Sequence, residues 1–312
     1  MKKISIMIPC FNEEENIVQI GAACESIIKE QLSEYDYEIC YVDNASTDNT
    51  RALIEEVCSK NKKHKAIFNV TNFGQFNSPF HGICSLDGDC VIPICADFQD
   101  PVEMIPVFVH EWENGHRIVS GVKTSSQENR FIYLLRSIYY KTIKKMSTVP
   151  MIEHFTGFGL YDKSFVKLLR ELHDPLPFLR GIVAEYGEGF EIKTVEYKQN
   201  ERAGGKSHNN FYSLYDAAML SFTSYTKAGL RIMTFLGFGI GLIDFVVAII
   251  YLVMKLINWD AFFVGMAPVL IGIFGLGAIQ LIFMGFMGEY LLNINSRTIN
   301  RPVVVEERRI NF

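Results

Sequence analysis

ISIMIPCFNEEE, residues 4–15, is the stretch that decides the fold. It begins as a β-rich apolar run that ends at Pro9, and it continues into Asn12 and three glutamates, which favour the first turn of a helix. Strands that lead directly into helices are typical of a parallel sheet covered by helices on both faces. We therefore predict a first strand that ends at Pro9 and a first helix that begins at Asn12.

The same alternation of β-rich and helical stretches continues to about residue 121. The second helix is expected to begin after Asp48, whose carboxylate is better suited to capping that helix than to binding a ligand. Four further runs predict strands at residues 38–43, 66–70, 91–96 and 117–122. The N-terminal part of the chain is therefore predicted to be an α/β domain.

Polar residues stand at the predicted ends of four strands. They are Asn12, Asp43, Asn72 and Asp97. Because ligands of doubly wound sheets bind at the carboxyl ends of the strands, these side chains are expected to surround one crevice. Carboxylates there can accept hydrogen bonds from a base or a ribose, while backbone amides face phosphate.

The composition of the chain points to lipid and away from nucleic acid. Hydrophobic residues make up 49% of the 312 residues, which is high for a wholly soluble protein. The net charge is -5 and the basic residues form no long run. Seven cysteines lie in the first third without a C-x-x-C pair, which indicates reduced cytosolic thiols. The apolar N-terminal run is too short for a signal peptide, so this domain is expected to stay in the cytoplasm.

Two long apolar segments predict a transmembrane hairpin. Residues 232–254 are apolar except for Asp244, and residues 261–288 carry no formal charge. Asp244 is compatible with a functional role and equally with helix packing. Because the connection is very short, both chain termini are expected on one side of the membrane. The basic residues that mark this side as cytoplasmic are Lys227, Arg231, Arg297, Arg301, Arg308 and Arg309.

Two stretches before the hairpin are candidates for the membrane interface. Residues 130–147 combine aromatic and aliphatic residues with basic ones, beginning with Arg130. Residues 211–225 are rich in aromatic residues and contain one charged residue, Asp216. An ordinary surface helix with a solvated face is the alternative interpretation of both stretches.

The predicted fourth strand leads into CADFQDP, residues 95–101. The carboxylate of Asp97 and the amide oxygen of Gln99 lie two residues apart, before a proline-started helix, and both can face a hard divalent cation. Such a cation would bridge the phosphates of a nucleotide-sugar and offset charge on the departing diphosphate. A solvated acidic turn is the alternative interpretation of these residues alone.

Together these motifs resemble the GT-A-fold polyprenyl-phosphate glycosyltransferases, which include dolichol-phosphate mannosyltransferases and bacterial enzymes that glucosylate undecaprenyl phosphate. The resemblance covers nearly the whole chain. It implies a Rossmann-like, mostly parallel GT-A sheet, followed by interfacial amphipathic helices and a two-helix transmembrane hairpin. The motifs are IPCFNEE at 8–14, DNASTDNT at 43–50, NFGQ at 72–75, DFQDP at 97–101, RAGGKS at 202–207, GEY at 288–290 and RP at 301–302.

The resemblance also assigns roles to individual residues. Asp97 and Gln99 would hold Mg²⁺ or Mn²⁺, and Asp97, Arg202 and Ser207 would be catalytic. The nucleotide would be bound by Pro9, Phe11, Asn12, Glu13, Asp43 and Asn72. The loop at residues 202–208 would close on an anion and exclude water. The residues implied for the acceptor phosphate are Arg130, Arg202, Lys206, Ser207 and His208.

Three positions depart from the family pattern. Cys95 stands where the family usually has an Asp, so one acid of its D-x-D turn is missing, and a thiol is a poor ligand for a hard cation. His208 stands where many members have Lys, and Gly157 stands near the place of a further Asp. The catalytic base is therefore unassigned. A phosphate acceptor is already ionised at neutral pH, however, and needs orientation more than deprotonation.

By the resemblance, the expected activity is inverting transfer of a hexose from a nucleotide-sugar to polyprenyl (undecaprenyl) phosphate, with UDP-glucose or UDP-N-acetylglucosamine favoured as donor. The alternatives are a GDP-mannose-dependent mannosyltransferase and a non-catalytic sugar-nucleotide-binding membrane protein. A processive polysaccharide synthase is disfavoured because the chain lacks the Gln-x-x-Arg-Trp motif.

The expected setting is the inner membrane of a bacterial cell, with the chain forming a homo-oligomer and binding no nucleic acid. The predicted boundaries are 1–210 for a cytoplasmic catalytic domain, 211–230 for an interfacial helix, 231–290 for the hairpin and 291–312 for a cytoplasmic tail.

Overall fold

A mixed sheet organises the part of the chain that the computed structural model describes, residues 1–125, 147, 149–204, 211–226, 228–257, 266–298 and 302–312. Across the sheet the strands follow the order β7-β5-β6-β4-β1-β2-β3-β8. They are β1 (Lys3–Cys10), β2 (Asp36–Asp43), β3 (His64–Asn69), β4 (Cys90–Pro93), β5 (Ile118–Ser125), β6 (Phe155–Asp162), β7 (Lys193–Lys198) and β8 (Glu306–Ile310).

The predicted parallel strands are confirmed in the centre of the sheet. β1 pairs with β2 and β4, and β2 pairs with β3, all in parallel. The fifth predicted strand is confirmed as β5, but β6 lies between β5 and β4 and is antiparallel to both. β7 is parallel to β5, and β8 is antiparallel to β3. The fold is therefore a GT-A-like mixed α/β sheet.

Helices cover both faces of this sheet. Ile4, Ile6 and Ile8 of β1 join one buried apolar cluster with α1, α2 and α4. Met7 of β1 and Val42 of β2 join a second cluster with α3, α5 and α6. Since both faces of β1 and β2 are buried, both strands are nearly continuous apolar runs. The helices are α1 (Ile17–Gln31), α2 (Thr50–Lys60), α3 (Gly74–Cys84), α4 (Met104–Glu113), α5 (Lys163–Glu171) and α6 (Leu179–Tyr186).

The first helix begins at Ile17, so the prediction that it begins at Asn12 is wrong. Asn12 has a φ of 55°, which places it in the left-handed region that a right-handed helix excludes. The Asn12 and Glu13 amides instead donate to Ser46 Oγ and Thr50 Oγ1, each at 2.9 Å. The N-cap of α2 is Asn49, and Asp48 lies one residue before it, where its Oδ1 accepts from the Thr50 amide at 3.0 Å and its Oδ2 from the Glu14 amide at 3.3 Å.

Three helices follow the sheet domain, and the first and the last of them contact it. In α7 (Phe211–Tyr225), Tyr225 packs so tightly on α6 that a Cβ at Gly181 would lie 2.2 Å from its ring. After α8 (Ala228–Ile257), the C-terminal end of α9 (Met266–Thr298) returns to the sheet domain. There Arg297 Nη1 lies 2.7 Å from Asp174 Oδ1, so the end of α9 is fastened to the loop after α5.

Large apolar side chains are exposed on α8 and α9, including Phe235 and Phe238 at 74% and 76%. Within the described ranges, no helix reaches the combination of length and hydropathy required of a membrane span. The transmembrane hairpin and the interfacial helix therefore stay predictions. The side chain of Asp244 and residues 126–146, which hold most of the basic stretch, lie outside the described part.

Candidate active site

Three non-glycine residues with a left-handed backbone mark the turns at the carboxyl ends of β1, β2 and β4. Their φ angles are 55° at Asn12, 63° at Ala45 and 59° at Phe98. Such conformations cost energy and tend to cluster at functional sites. The turns that contain them are joined by hydrogen bonds and an ion pair, so they meet at the edge of the sheet where the crevice is predicted.

The turn after β1 is locked to the turn after β2. The Thr47 amide donates to Asn12 Oδ1 at 2.8 Å, in addition to the Asn12–Ser46 hydrogen bond. Pro9 lies within β1 opposite Val42, and Phe11 is half-buried directly after the strand. The structure thus brings these three predicted nucleotide-binding residues to one edge of the sheet, where the Asn12 side chain also shapes the turn.

Asp43 lies at the carboxyl end of β2, with its side chain fully buried. Its Oδ2 lies 2.9 Å from Arg51 Nε, and the Ser46 amide approaches both carboxylate oxygens at 3.3 Å. Burial raises the pKa of Asp43, and hydrogen bonding to Ser46 and the Arg51 charge oppose that rise. The ionised form of Asp43 therefore depends on its neighbours, Ser46 and Arg51.

An asparagine cluster fixes the turn after β3. The Asn44 side chain donates to Asn72 Oδ1 at 2.8 Å and accepts from the Phe73 amide at 2.9 Å. Asn69, which sequence reasoning missed, donates to Asn44 Oδ1 at 3.2 Å. The predicted residue Asn72 thus reaches the crevice, and its oxygen also accepts from the Gly74 amide at 2.8 Å at the start of α3.

The turn after β4 is covered by the chain that follows β7. The Gln99 amide donates to Asp97 Oδ1 at 3.2 Å, which holds the two predicted ligands in one turn. The Asn200 amide donates to Gln99 O, and the Ala203 amide donates to Asp97 O, both at 3.1 Å. The predicted anion loop and the predicted metal turn are therefore neighbours, although they are about 100 residues apart in sequence.

Arg202 connects the two halves of the crevice. Its Nη2 lies 2.5 Å from Glu13 Oε1, and its Nε lies 3.7 Å from Asp97 Oδ2. Its Nε also donates to Gly204 O at 2.9 Å, which folds the loop around the guanidinium. The Arg202 guanidinium thus contacts Glu13, a predicted nucleotide-binding residue, and Asp97, a predicted metal ligand.

Asp100 is a buried acid beside this turn that sequence reasoning did not select. Tyr197 of β7 donates its hydroxyl to Asp100 Oδ1 at 2.8 Å, and the Tyr197 ring packs edge-on against Phe158 at 5.2 Å. Burial raises the pKa of Asp100, and the positive charge of Lys123 opposes that rise. The only sequence signal was its position before Pro101, where an acid also suits a helix start.

The donor set suits a cation that is shared with a ligand. In the described residues, no group of three or more His, Cys, Asp or Glu side chains could hold a metal by itself. Cys95, the departure from the family pattern, is exposed. Mg²⁺ in proteins is commonly held by one or two carboxylates together with substrate phosphates and waters. Asp97 and Gln99 fit that arrangement, in which a diphosphate completes the coordination.

Four predicted acceptor residues, Arg130, Lys206, Ser207 and His208, lie outside the described residues. A separate open pocket lies between α6, α7 and the end of α9, and Asp174, Glu185 and Arg297 are among its lining residues. Its described lining contains none of the predicted site residues, and two of its lining residues, Asp174 and Arg297, form the ion pair that fastens α9.

The chain resembles known sugar-transferring proteins over most of its length. The family described as glycosyl transferase family 2 matches residues 5–169. A bactoprenol glucosyl transferase of Shigella phage SfX is 30% identical over 301 residues, covering 96% of this chain and 97% of that protein. A prophage bactoprenol glucosyl transferase homolog of Escherichia coli K12 is 29% identical, covering 98% and 99%.

Solved structures with a similar chain trace include glucosyl-3-phosphoglycerate synthase from Mycobacterium tuberculosis, in complex with Mn²⁺, UDP-glucose and phosphoglyceric acid. It is 18% identical, with a TM-score of 0.48, and the match covers 71% of this chain and 78% of that one.

Proposed function

The chain belongs to glycosyl transferase family 2, and we propose that it transfers a hexose from a nucleotide-sugar to polyprenyl phosphate. The match to the family spans more than half of the chain, and the chain is a glycosyltransferase on that ground. The names of its relatives support a bactoprenol acceptor and favour glucose. UDP-glucose is therefore the first candidate donor, and UDP-N-acetylglucosamine is the second.

The contact of Arg202 with Glu13 and Asp97 is the observation that carries this proposal. It joins the turn after β1, the turn after β4 and the loop after β7 around one charged centre. A nucleotide-sugar and a lipid phosphate both bring anionic oxygens to such a crevice, and Arg202 can pair with the acceptor phosphate there. A site of this kind favours departure of a diphosphate more than storage of a neutral ligand.

The proposed reaction needs one bond to form and one to break. An oxygen of the lipid phosphate attacks the anomeric carbon from the face opposite the donor diphosphate, and the bond from that carbon to the diphosphate oxygen breaks with its electron pair. The configuration at the anomeric carbon is therefore inverted. Because the lipid phosphate is already ionised, the residues of the site orient it and need not remove a proton.

Asp97 and Gln99 are the residues that would hold Mg²⁺ or Mn²⁺. Bound there, a divalent cation would neutralise the charge that develops on the departing diphosphate. Arg202 would pair with the acceptor phosphate once its guanidinium leaves the carboxylates of Glu13 and Asp97. The loop around it would then close over the reacting groups and exclude water.

We also propose that α8 and α9 hold the enzyme at the membrane that supplies the lipid. The support is the row of exposed apolar side chains along both helices, such as Phe235, Leu242 and Ile273. Exposed apolar surface of this extent marks an interaction with lipid or protein. In this proposal the sheet domain lies on the cytoplasmic face of a bacterial inner membrane.

Product analysis tests the proposal directly. The full chain, purified in detergent, is incubated with undecaprenyl phosphate, Mg²⁺ and either UDP-glucose, UDP-N-acetylglucosamine or GDP-mannose, and the lipids are weighed by mass spectrometry. We expect a product heavier by one hexose with UDP-glucose. Nucleotide binding without a new lipid in any arm would contradict transfer to undecaprenyl phosphate.

A further inference from the structure

The chain after α9 returns to the sheet and forms its outer edge. β8 pairs antiparallel with β3, with Ile67 opposite Arg309 and Phe68 opposite Arg308. Beyond the strand, the Asn311 side chain donates to Cys58 O and to His64 O, both at 2.8 Å. Residues separated by more than 200 positions in the sequence are therefore held in one register.

One side chain of β8 connects to the buried acid of the nucleotide crevice. Glu307 Oε2 lies 2.6 Å from Arg51 Nη2, and Arg51 Nε lies 2.9 Å from Asp43 Oδ2. Arg51 also lies over the Phe68 ring, with 5.1 Å between its guanidinium carbon and the ring centroid. The guanidinium is thus held between an exposed carboxylate on β8 and a fully buried one on β2.

This arrangement matters because Asp43 is fully buried and Arg51 is the cation that contacts it. Burial raises the pKa of Asp43, and hydrogen bonding to Ser46 and then the Arg51 charge oppose that rise. Arg51 has a long side chain whose freedom must be lost to keep that contact. Glu307, on the far side of the guanidinium, restricts the rotamers of Arg51. Its charge-assisted hydrogen bond fixes the direction of the planar guanidinium.

We infer that Glu307 is a positioning residue of the nucleotide site, which acts by holding Arg51 against Asp43. The strand that follows the C-terminal helix is then part of the nucleotide-binding machinery as well as the edge of the sheet. The inference rests on the proposed function, since it takes Asp43 as a nucleotide-binding residue. It extends that function to a residue more than 250 positions away from Asp43 in the sequence.

The alternative is that β8 covers the edge of the sheet, which is a common protection against edge-to-edge pairing. The chain offers a matched control for this alternative. Arg308 of β8 pairs with Glu55 of α2, and the Arg308 guanidinium lies 4.8 Å from the centroid of the same Phe68 ring. Both ion pairs therefore join β8 to α2, but only the pair made by Glu307 involves the guanidinium that contacts Asp43.

The experiment compares Glu307→Ala with Glu55→Ala in the full detergent-purified chain. Calorimetric titration with UDP gives Kd, the lipid-product assay gives donor KM and kcat, and thermal unfolding gives Tm. We expect Glu307→Ala to raise the UDP Kd and donor KM by about three- to tenfold with kcat little changed. For Glu55→Ala we expect a change below about twofold, because its removal leaves Arg51 in place.

Equal increases of Kd in both variants, or no increase in Glu307→Ala, would overturn the inference. Should Glu307→Ala have a lower Tm than Glu55→Ala, the isosteric Glu307→Gln is compared with Glu55→Gln by the same criteria. Failure of the proposed function looks different, because the parent protein itself would then bind no UDP or yield no glycosylated lipid. If the parent and Glu307→Ala bind UDP equally tightly, only the role of Glu307 is contradicted.

Discussion

Arg202 and Asp97 together decide how charge is balanced in the crevice. The guanidinium is closer to Glu13 than to Asp97, at 2.5 Å against 3.7 Å. The Asp97 carboxylate therefore keeps oxygen lone pairs that a divalent cation can use. At the level of single residues, we therefore propose Asp97 as the side chain whose charge catalysis needs most.

Asp97→Asn is expected to lower turnover more than tenfold while the protein remains folded. The amide retains the shape and one acceptor oxygen, but it removes the negative charge that a divalent cation requires. A tenfold loss corresponds to about 1.4 kcal/mol of transition-state stabilisation. The lipid-product assay measures the rate, and Tm serves as the folding control. Retention of more than about a tenth of the activity would contradict the assignment of Asp97.

Asp100→Asn is expected to stabilise the protein at neutral pH. Because burial raises the pKa of Asp100, the folded state takes up its proton more readily than the unfolded state. Its contribution to folding is then complete at pH values below the ordinary carboxyl pKa and is lost as pH rises through the raised pKa. The amide oxygen can still accept the Tyr197 hydroxyl, so the variant removes the charge and keeps the hydrogen bond.

Thermal unfolding at pH 5 and pH 7.5 checks this prediction. The Tm of Asp100→Asn should exceed that of the parent by about 2 °C or more at pH 7.5. The difference should shrink at pH 5, where the parent carboxyl is closer to its protonated form. A variant that is less stable than the parent by the same amount at both pH values would show that the Asp100 charge supports the fold.

At the scale of elements, the loop after β7 contributes specific geometry to the site. Gly204 lies so close to the turn between β1 and α1 that a Cβ there would be 2.6 Å from Glu15 Oε2. The backbone of residues 200 and 203 is meanwhile hydrogen-bonded to the Asp97 turn. The loop is therefore seated on two elements, with the Arg202 guanidinium between them.

Arg202→Lys is expected to impair transfer by tenfold or more, while UDP affinity stays within about threefold of the parent. Lysine keeps the positive charge beside Glu13 but loses the planar fork that grips a phosphate through two parallel hydrogen bonds. Asp43→Ala should instead weaken UDP binding itself. Calorimetry with UDP, run beside the lipid-product assay, separates the two effects. Loss of UDP binding in Arg202→Lys as large as in Asp43→Ala would assign the loop to the donor diphosphate alone.

The strands that sequence reasoning found and missed differ in how apolar their sequences are. β1 to β4 were predictable because each is a buried apolar run next to a helix in the sequence. β6, β7 and β8 were missed because none is a plain apolar run: β6 contains two glycines, β7 begins and ends with lysine, and four of the five residues of β8 are charged. The crevice was predictable from strand ends, whereas the start of α1 was not, because the left-handed Asn12 interrupts an otherwise helix-like run.

At the scale of the whole molecule, the helical part is fastened to the sheet domain at both of its ends. α7 packs against α6 through Tyr225 and Gly181, and α9 is tied to the loop after α5 by the pair Arg297–Asp174. The chain then closes the sheet with β8. A domain held in this way to two helices with exposed apolar faces can present its crevice at a fixed height above a lipid surface.

The pairing of β8 with β3 constrains the topology of the proposed membrane hairpin. β8 belongs to the same sheet as β1 to β7. The residues before α7 and after α9 must therefore lie on the same side of any membrane that α8 and α9 cross. Only the connection between α8 and α9 is then left for the opposite side. We therefore expect Asn258 to face the periplasm and the C-terminal Phe312 to face the cytoplasm.

Single cysteines at these two positions test the orientation in intact cells. Both are introduced with the exposed Cys95 changed to Ser, since the other native thiols are buried or half-buried. An impermeant maleimide should label Asn258→Cys in intact cells, and Phe312→Cys should react only after the cells are opened. Position 312 is suitable for labelling because Phe312 is 49% exposed on the folded protein. Labelling of Phe312→Cys but not Asn258→Cys in intact cells would reverse the orientation. Labelling of neither position until lysis would show that α8 and α9 do not cross the membrane, and the apolar faces would then have to rest on its inner surface or on another protein.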